Sequence, residues 1–268
     1  MKYIKYQHVE KIGFEETEGL LDGECYVFPK LDGTNGKIWY DKKIRFGSRN
    51  RELEVEKDNV GFLNRFKDDF RFKRFFEKYP KLILFGEYLV PHTIKHYREE
   101  VWNKFYVFDV CKIINEEKVY LHFNEYEKRL KEFHIDYIAP MCKVVNPTIK
   151  RLINLTEQNT YLLQDGFIGE GIVVKNYQYE NKYGRVAWGK LIRNEFKEKH
   201  KEEFGILEIK EKLRTEEKII ENHCDEHLIN KTFEKIRNEK GWKNKCIPEL
   251  INRVFFDLIN EELYNIIK

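Results

Sequence analysis

The sequence predicts an α+β protein: mixed or antiparallel sheets flanked by helices, followed by a small all-helical C-terminal domain. Three observations carry that prediction. Short runs rich in β-branched and aromatic residues recur up to about residue 195. Thirteen of the 15 glycines and five of the six prolines precede Phe196, as turn-punctuated strands require. Beyond Phe196 the apolar residues recur at helical spacing.

In chain order the strands read as ECYVFPK, GKIWY, KIRFG, KLILFGEYLV, NKFYVFDV, GIVVK and RVAWGKLI. One helix is expected around Val60–Tyr79, where Leu63, Phe66 and Phe70 lie three to four residues apart and Pro80 stops the run. A second is expected over Asn124–Phe133. Past Phe196, the residues Phe204, Ile206, Leu207, Ile209 and Leu213 begin a helical pattern amid Lys and Glu. Pro248 opens a final helix with Leu250, Ile251, Val254, Phe255, Leu258 and Ile259 on one apolar face. The expected division is 1–197 and 198–268.

With 268 residues, 41% hydrophobic and 35% charged, the chain reads as globular with a heavily solvated surface. Its 20 Phe, 16 Tyr and 4 Trp supply more apolar area than a disordered chain carries. No run approaches the ~18 apolar residues of a membrane span. The start, MKYIKYQHVEKIGF, has no apolar core of a secretory signal. Five widely spaced cysteines without a CxxC suit reduced thiols. A cytoplasmic chain with no membrane partner is expected. Two alanines against abundant Lys, Ile and Asn suggest an AT-rich genome, hence a bacterium or a virus-infected host cell. The net charge is +3, made of +4 up to residue 195 (34 basic, 30 acidic) and −1 after it (15 basic, 16 acidic). Any nucleic acid would therefore need a local basic groove.

The most informative stretch is Lys30-Leu31-Asp32-Gly33-Thr34-Asn35, between two predicted strands. A lysine at a strand end beside a glycine turn sits where a ligand can approach the backbone. Taken alone, the tetrad reads best as a solvated lysine before a turn. Its followers change that: Arg49 in FGSRNREL, Glu87 in LILFGEYL, Phe108-Asp109 ending FYVFD, Glu170 and Lys175 in EGIVVK, and Lys190 in WGKLIR.

This ordered set resembles the six collinear motifs of the covalent nucleotidyltransferases, which are ATP-dependent RNA and DNA ligases and mRNA capping enzymes. Within them it looks most like the RNA ligase 2 family, because Thr34-Asn35 follows the KxDG tetrad where DNA ligases and capping enzymes usually carry arginine at the Asn35 position. The likeness covers about residues 25–198. It implies a nucleotidyltransferase (adenylyltransferase) domain and an ATP-dependent RNA ligase that joins 3′-OH and 5′-phosphate ends. The implied partner is RNA, as a nicked duplex, as free ends or as a DNA/RNA hybrid, handled by a monomer. Lys30 is implied as the nucleophile that becomes lysyl-AMP, a task that needs an uncharged amine although lysine's ordinary pKa is about 10.4.

The same resemblance places Asp32, Asn35, Arg49, Glu87, Phe108, Lys175 and Lys190 around the nucleotide. Lys190 would neutralise the α-phosphate, and Lys175 would be a second phosphate contact, against the competing reading of an edge-strand lysine. Glu170 would hold Mg²⁺, with Mn²⁺ able to substitute, in the few-carboxylate style of a hard cation. Glu87 would accept from ribose hydroxyls, Phe108 would stack on adenine unless it is simply core, and Arg49 would clamp ribose or a phosphate. Asp109 is carried over with Phe108, and Asn35 would orient the ends for sealing. The last motif departs from the family's Lys-x-Lys: strand alternation turns Arg193 away from the face of Lys190.

Helices after the last motif fit RNA ligase 2 relatives better than the barrel of DNA ligases and capping enzymes. There Lys231, Lys235, Lys240, Lys243 and Lys245 are candidate phosphate contacts. A DNA ligase, a GTP-using capping enzyme and a non-catalytic RNA-end-binding protein are the alternatives. His92/His96 and His223/His227 have four-residue spacing but no third matched ligand, so they read as surface or core histidines. The Lys/Glu run 197–203 reads as a solvated helix face.

Overall fold

The computed structural model describes residues 3–92, 94–115, 117–193, 226–243 and 246–266. The chain divides into two units, 1–196 and 197–268.

The first unit is built on two five-stranded sheets. One contains β1 (Glu10–Lys11), β2 (Glu24–Lys30), β8 (Cys142–Val145), β9 (Gly171–Lys175) and β10 (Gly189–Ile192), in the order β1-β10-β9-β2-β8. Only the β1–β10 pair is parallel. The other sheet is antiparallel throughout. It contains β3 (Thr34–Asp41), β4 (Lys43–Ser48), β5 (Leu82–Tyr88), β6 (Phe105–Ile114) and β7 (Glu117–Tyr120), in the order β4-β3-β5-β6-β7. The turn Leu31–Gly33 carries the chain from β2 in one sheet to β3 in the other.

Interior strands covered on both faces read as near-continuous apolar runs. Thus Cys25–Pro29 and Leu82–Gly86 are buried residue after residue. Helices cover the second sheet: α1 (Phe62–Phe66), α2 (Phe70–Lys78) and α3 (Phe123–Glu132). The stretch expected as one helix is two. Asp69 breaks it by capping α2, accepting from the Arg71 N–H at 2.9 Å, and Asp58 accepts from the Leu63 and Asn64 N–H groups in α1. In α2, Phe72, Phe75 and Phe76 are buried, each contributing about 1.5–3 kcal/mol by leaving water. A further helix, α4 (Ile149–Glu157), capped by Thr148, buries Leu152 and Ile153 in a smaller core under β2, β9 and β10.

In the second unit the described residues form α5 (Glu226–Lys240) and α6 (Ile247–Ile266). Ile236 and Cys246 are buried, Phe233 lies 4.5 Å from Trp242 between centroids, and Arg253 bridges Glu239 and Glu249. Lys231 and Lys235 lie on α5 and Lys243 in the loop that follows it. The helical run from Phe204 to Leu213, the 197–203 charge run, His223, Cys224 and Lys245 fall outside the described residues. Among the described residues no helix is long and apolar enough to cross a membrane.

Candidate active site

A cleft of about 520 Å³ opens where β2 hands the chain to the second sheet. Lys30, Asn35 and Arg49 line it, with Glu87, Phe108, Lys175 and Lys190. Strand register explains the gathering. Lys30 ends β2 opposite Gly171, which brings the preceding Glu170 alongside, and Lys30 Nζ lies 2.6 Å from Glu170 Oε2. Asn35 and Glu87 face each other across β3 and β5. Lys190 lies opposite Val173 on β10, next to β9.

Gly33 closes the turn. Its N–H donates to Glu87 Oε1 at 3.0 Å, and a Cβ there would run into the Tyr88 carbonyl oxygen. Gly33→Ala must therefore displace the turn that follows Lys30, at about 1–3 kcal/mol. The expected result is a lower thermal midpoint with an additional loss of nucleotide affinity, read by melting and by ligand titration.

Burial pushes the Glu87 carboxyl up to about 7, against the opposing pull of the Lys30 ammonium and the Gly33 N–H, while Glu170 adds to the rise. A raised folded-state pKa means stability that is full below about 4.5 and is lost as pH rises through about 7. Glu87→Gln removes that loss. The melting midpoint of the unaltered protein should therefore fall relative to that of Glu87→Gln between about pH 5 and pH 8, and parallel curves would refute the assignment.

Phe108 is the extra residue of a β-bulge: Phe85 pairs with Asp109 and Gly86 with Val107. Bulges re-aim side chains, and the half-buried Phe108 ring reaches the cleft. Lys175 is on an interior strand, between β10 and β2, so it is not an edge-strand lysine. Its side chain is only 2% exposed, and Nζ meets Asp109 Oδ1 at 2.8 Å and the Phe108 carbonyl at 2.6 Å. Burial pulls this ammonium down and Asp109 opposes the fall.

Of the predicted residues, Glu170, which meets the cleft only through Lys30, and Asp32 do not line it. The Asp32 carboxylate is turned to His92 Nδ1 at 2.7 Å and to the Ile94 N–H at 2.6 Å. Arg193 is directed to Glu157 of α4 at 3.1 Å, on the opposite side from Lys190 as strand alternation requires. Among the described residues no three His, Cys, Asp or Glu side chains group as a metal site.

Sequence reasoning missed one wall. Tyr6, Gln7, His8 and Val9 line the cleft. The Tyr6 ring packs 4.9 Å from Phe108, and its hydroxyl donates to Asp109 Oδ2 at 2.5 Å. The buried Lys37 ammonium lies between the rings of Tyr3 and Trp39 and donates to the Ile4 carbonyl. Arg49 Nη2 lies 2.9 Å from His8 Nδ1. The only sequence signal for this wall was the aromatic density of MKYIKYQH, which has no strand or helix period.

A cleft lined by Lys30, Arg49 and Lys190, with the rings of Tyr6, Phe28 and Phe108 and the Glu87 carboxyl, suits a phosphorylated, ring-bearing ligand. The family model for RNA ligases matches residues 23–192. The chain belongs to the RNA ligase family. The family segment holds every predicted site residue from Lys30 to Lys190, and the Tyr6–Val9 wall lies outside it. Among solved structures, the chain is similar to Naegleria gruberi RNA ligase. A mutant of that protein with ATP and Mn matches at 20% identity and a TM-score of 0.56, over 75% of this chain and 59% of that one. A second mutant, with AMP and Mn, gives the same values. The form with PPi matches at 19% identity and a TM-score of 0.55, with the same coverage. These likenesses establish the shared nucleotidyltransferase fold, and the chain spans less than two thirds of that ligase's length. No curated protein matches the sequence significantly.

Proposed function

We propose that this chain is an ATP-dependent RNA ligase that seals 3′-OH to 5′-phosphate ends, at nicks, through a lysyl-AMP intermediate on Lys30. The observation that carries the reading is the pairing of Glu170 with Lys30 at a cleft that Lys30 lines together with Lys190, Glu87 and Phe108, all within the family segment. In the first step Lys30 Nζ forms a bond to the α-phosphorus of ATP, the α–β bridging P–O bond breaks, pyrophosphate leaves and the amine's proton goes to solvent. The AMP then passes from Lys30 to the 5′-phosphate oxygen of an RNA end. The 3′-hydroxyl oxygen finally bonds to that phosphorus, and AMP leaves.

Lys190 and Arg49 neutralise phosphate charge. Phe108 packs on the adenine and Glu87 accepts from the ribose. Lys175 contributes from the cleft wall as a second phosphate contact, anchored by Asp109 and the Phe108 carbonyl, and Asn35 orients the strand ends. The donor chemistry fits a hard cation: Glu170 offers one carboxylate, and phosphate oxygens and water complete such a shell. Mg²⁺ or Mn²⁺ held there supplies charge neutralisation at the phosphates. The Naegleria gruberi structures, with ATP or AMP and Mn, support both cofactors.

Residues 1–197 are read as the adenylation domain and 198–268 as a helical domain that grips nicked RNA, free ends or a DNA/RNA hybrid. The protein is read as a monomer working in the cytoplasm of a bacterium or an infected cell. The test is incubation with Mg²⁺ and α-labelled ATP or GTP, followed by nicked duplexes of RNA or DNA. Acid-labile label from ATP, passed on to sealed RNA, is expected. Label from GTP would indicate capping chemistry, and no label would leave a binding protein.

A further inference from the structure

Beside the cleft, two loops carry a pair of rings with no part in the nucleotide site. His96 and Phe167 stack with centroids 3.8 Å apart and planes 10° from parallel. Both are exposed, Phe167 to 37%, although a phenylalanine ordinarily prefers the core. The loops are laced together: the Arg98 N–H donates to the Leu162 carbonyl, the Gln164 N–H to the His96 carbonyl, and Tyr97 bridges Leu163. Tyr97 itself is buried, and its hydroxyl accepts from the Asp32 N–H at 2.9 Å.

Both rings are tethered to the reacting lysine. Phe167 stands three residues before Glu170, a reach of about 10 Å at full extension, and Glu170 touches Lys30. His96 stands four residues after His92, a reach of about 14 Å, and His92 pairs with Asp32, two residues past Lys30. Lys95, exposed, directly precedes His96 in the chain and gives the same loop a cation. A parallel aromatic column with an open end and a cation on one of its loops takes nucleobases without regard to their identity, since every base has a π-face.

We infer that the His96–Phe167 stack is a landing platform for a nucleobase of the strand being sealed, which continues the column as a third ring. This rests on the RNA ligase reading above and adds to it a sequence-tolerant grip next to Lys30. Such a grip suits an enzyme that must join ends of any sequence.

The probe is a nicked RNA duplex carrying 2-aminopurine next to the nick, on the 5′-phosphate side in one version and on the 3′-OH side in the other. Stacking should quench its fluorescence on one side. Phe167→Ala and His96→Ala should abolish the quench and weaken binding on the order of tenfold. Phe167→Trp should keep the quench. Phe167→Leu, which preserves apolar packing between the loops without an aromatic face, should lose it. A Leu variant that binds and quenches like the unaltered protein would overturn the platform and leave the stack as a loop clasp. Self-labelling by ATP needs no RNA and is read on the same preparations. Its absence in the unaltered protein would count against the ligase reading, while the quench would still decide the platform.

Discussion

Lys30→Ala is expected to abolish covalent labelling from ATP, by roughly a thousandfold or more, the range that loss of a nucleophile reaches. The loss should extend to sealing of ordinary 5′-phosphate ends, because no other described lysine takes this position. Lys175 is buried and held by Asp109, and Lys190 lies on β10, two strands across from β2. Lys30→Arg keeps a cation for Glu170 but cannot act as an amine nucleophile, so it should be as inactive as alanine while melting closer to the unaltered protein. An RNA already bearing AMP on its 5′-phosphate bypasses the first two steps. Both variants should still join such an end at a reduced rate, and that residual joining separates lost chemistry from lost fold. Full joining of ordinary ends by Lys30→Arg would sink the mechanism.

Asp109→Ala should give the largest loss of stability. It leaves the Lys175 ammonium, 2% exposed, with the Phe108 carbonyl and the Phe28 and Trp188 rings but no counter-charge, and it also removes the acceptor of the Tyr6 hydroxyl. Breaking one side of a buried pair costs about 3–5 kcal/mol, which lowers the melting midpoint on the order of 10 °C in a chain of this size. Lys175→Met should cost less, because Asp109 keeps Tyr6. The double variant Asp109→Leu with Lys175→Met should recover much of the loss, since apolar replacements of matched volume remove the unpaired charge. Denaturant unfolding of Asp109→Leu as well, beside the unaltered protein, Lys175→Met and the double variant, completes the cycle. Equal stability of Asp109→Ala and the unaltered protein would show that the pair holds nothing together.

The strands most legible in the sequence were those with unbroken β-branched and aromatic runs. Glu24–Lys30 and Gly171–Lys175 form where ECYVFPK and GIVVK stand. Boundaries failed where side chains intervened, as at Asp69, whose capping outweighs the apolar period through Phe66 and Phe70. Helix α4 lies outside the expected elements, although Thr148 and the spacing of Leu152, Ile153 and Thr156 mark it in the same language. β1, β7 and β8 are two to four residues long, too short to carry a period.

At the site, motif order located the residues, but partners fixed by tertiary register were out of reach. Nothing local says that Asp32 turns to His92, that Lys175 buries its charge against Asp109, or that a bulge aims Phe108. The Tyr6–Val9 wall was illegible for a similar reason: its place comes from long-range anchors to Asp109 and β10.

The cleft lies on a seam. Lys30 and Lys190 belong to one sheet and Glu170 directly precedes its strand β9, while Asn35, Glu87 and Phe108 belong to the other. Besides the turn between β2 and β3, the Lys175–Asp109 contact rivets the halves together. A nucleotide seated here would act as a second rivet, so occupancy and rigidity should rise together and a saturating ligand should protect the protein against heat. Release of AMP after joining would loosen the same seam, making each turnover a cycle of stiffening and relaxation.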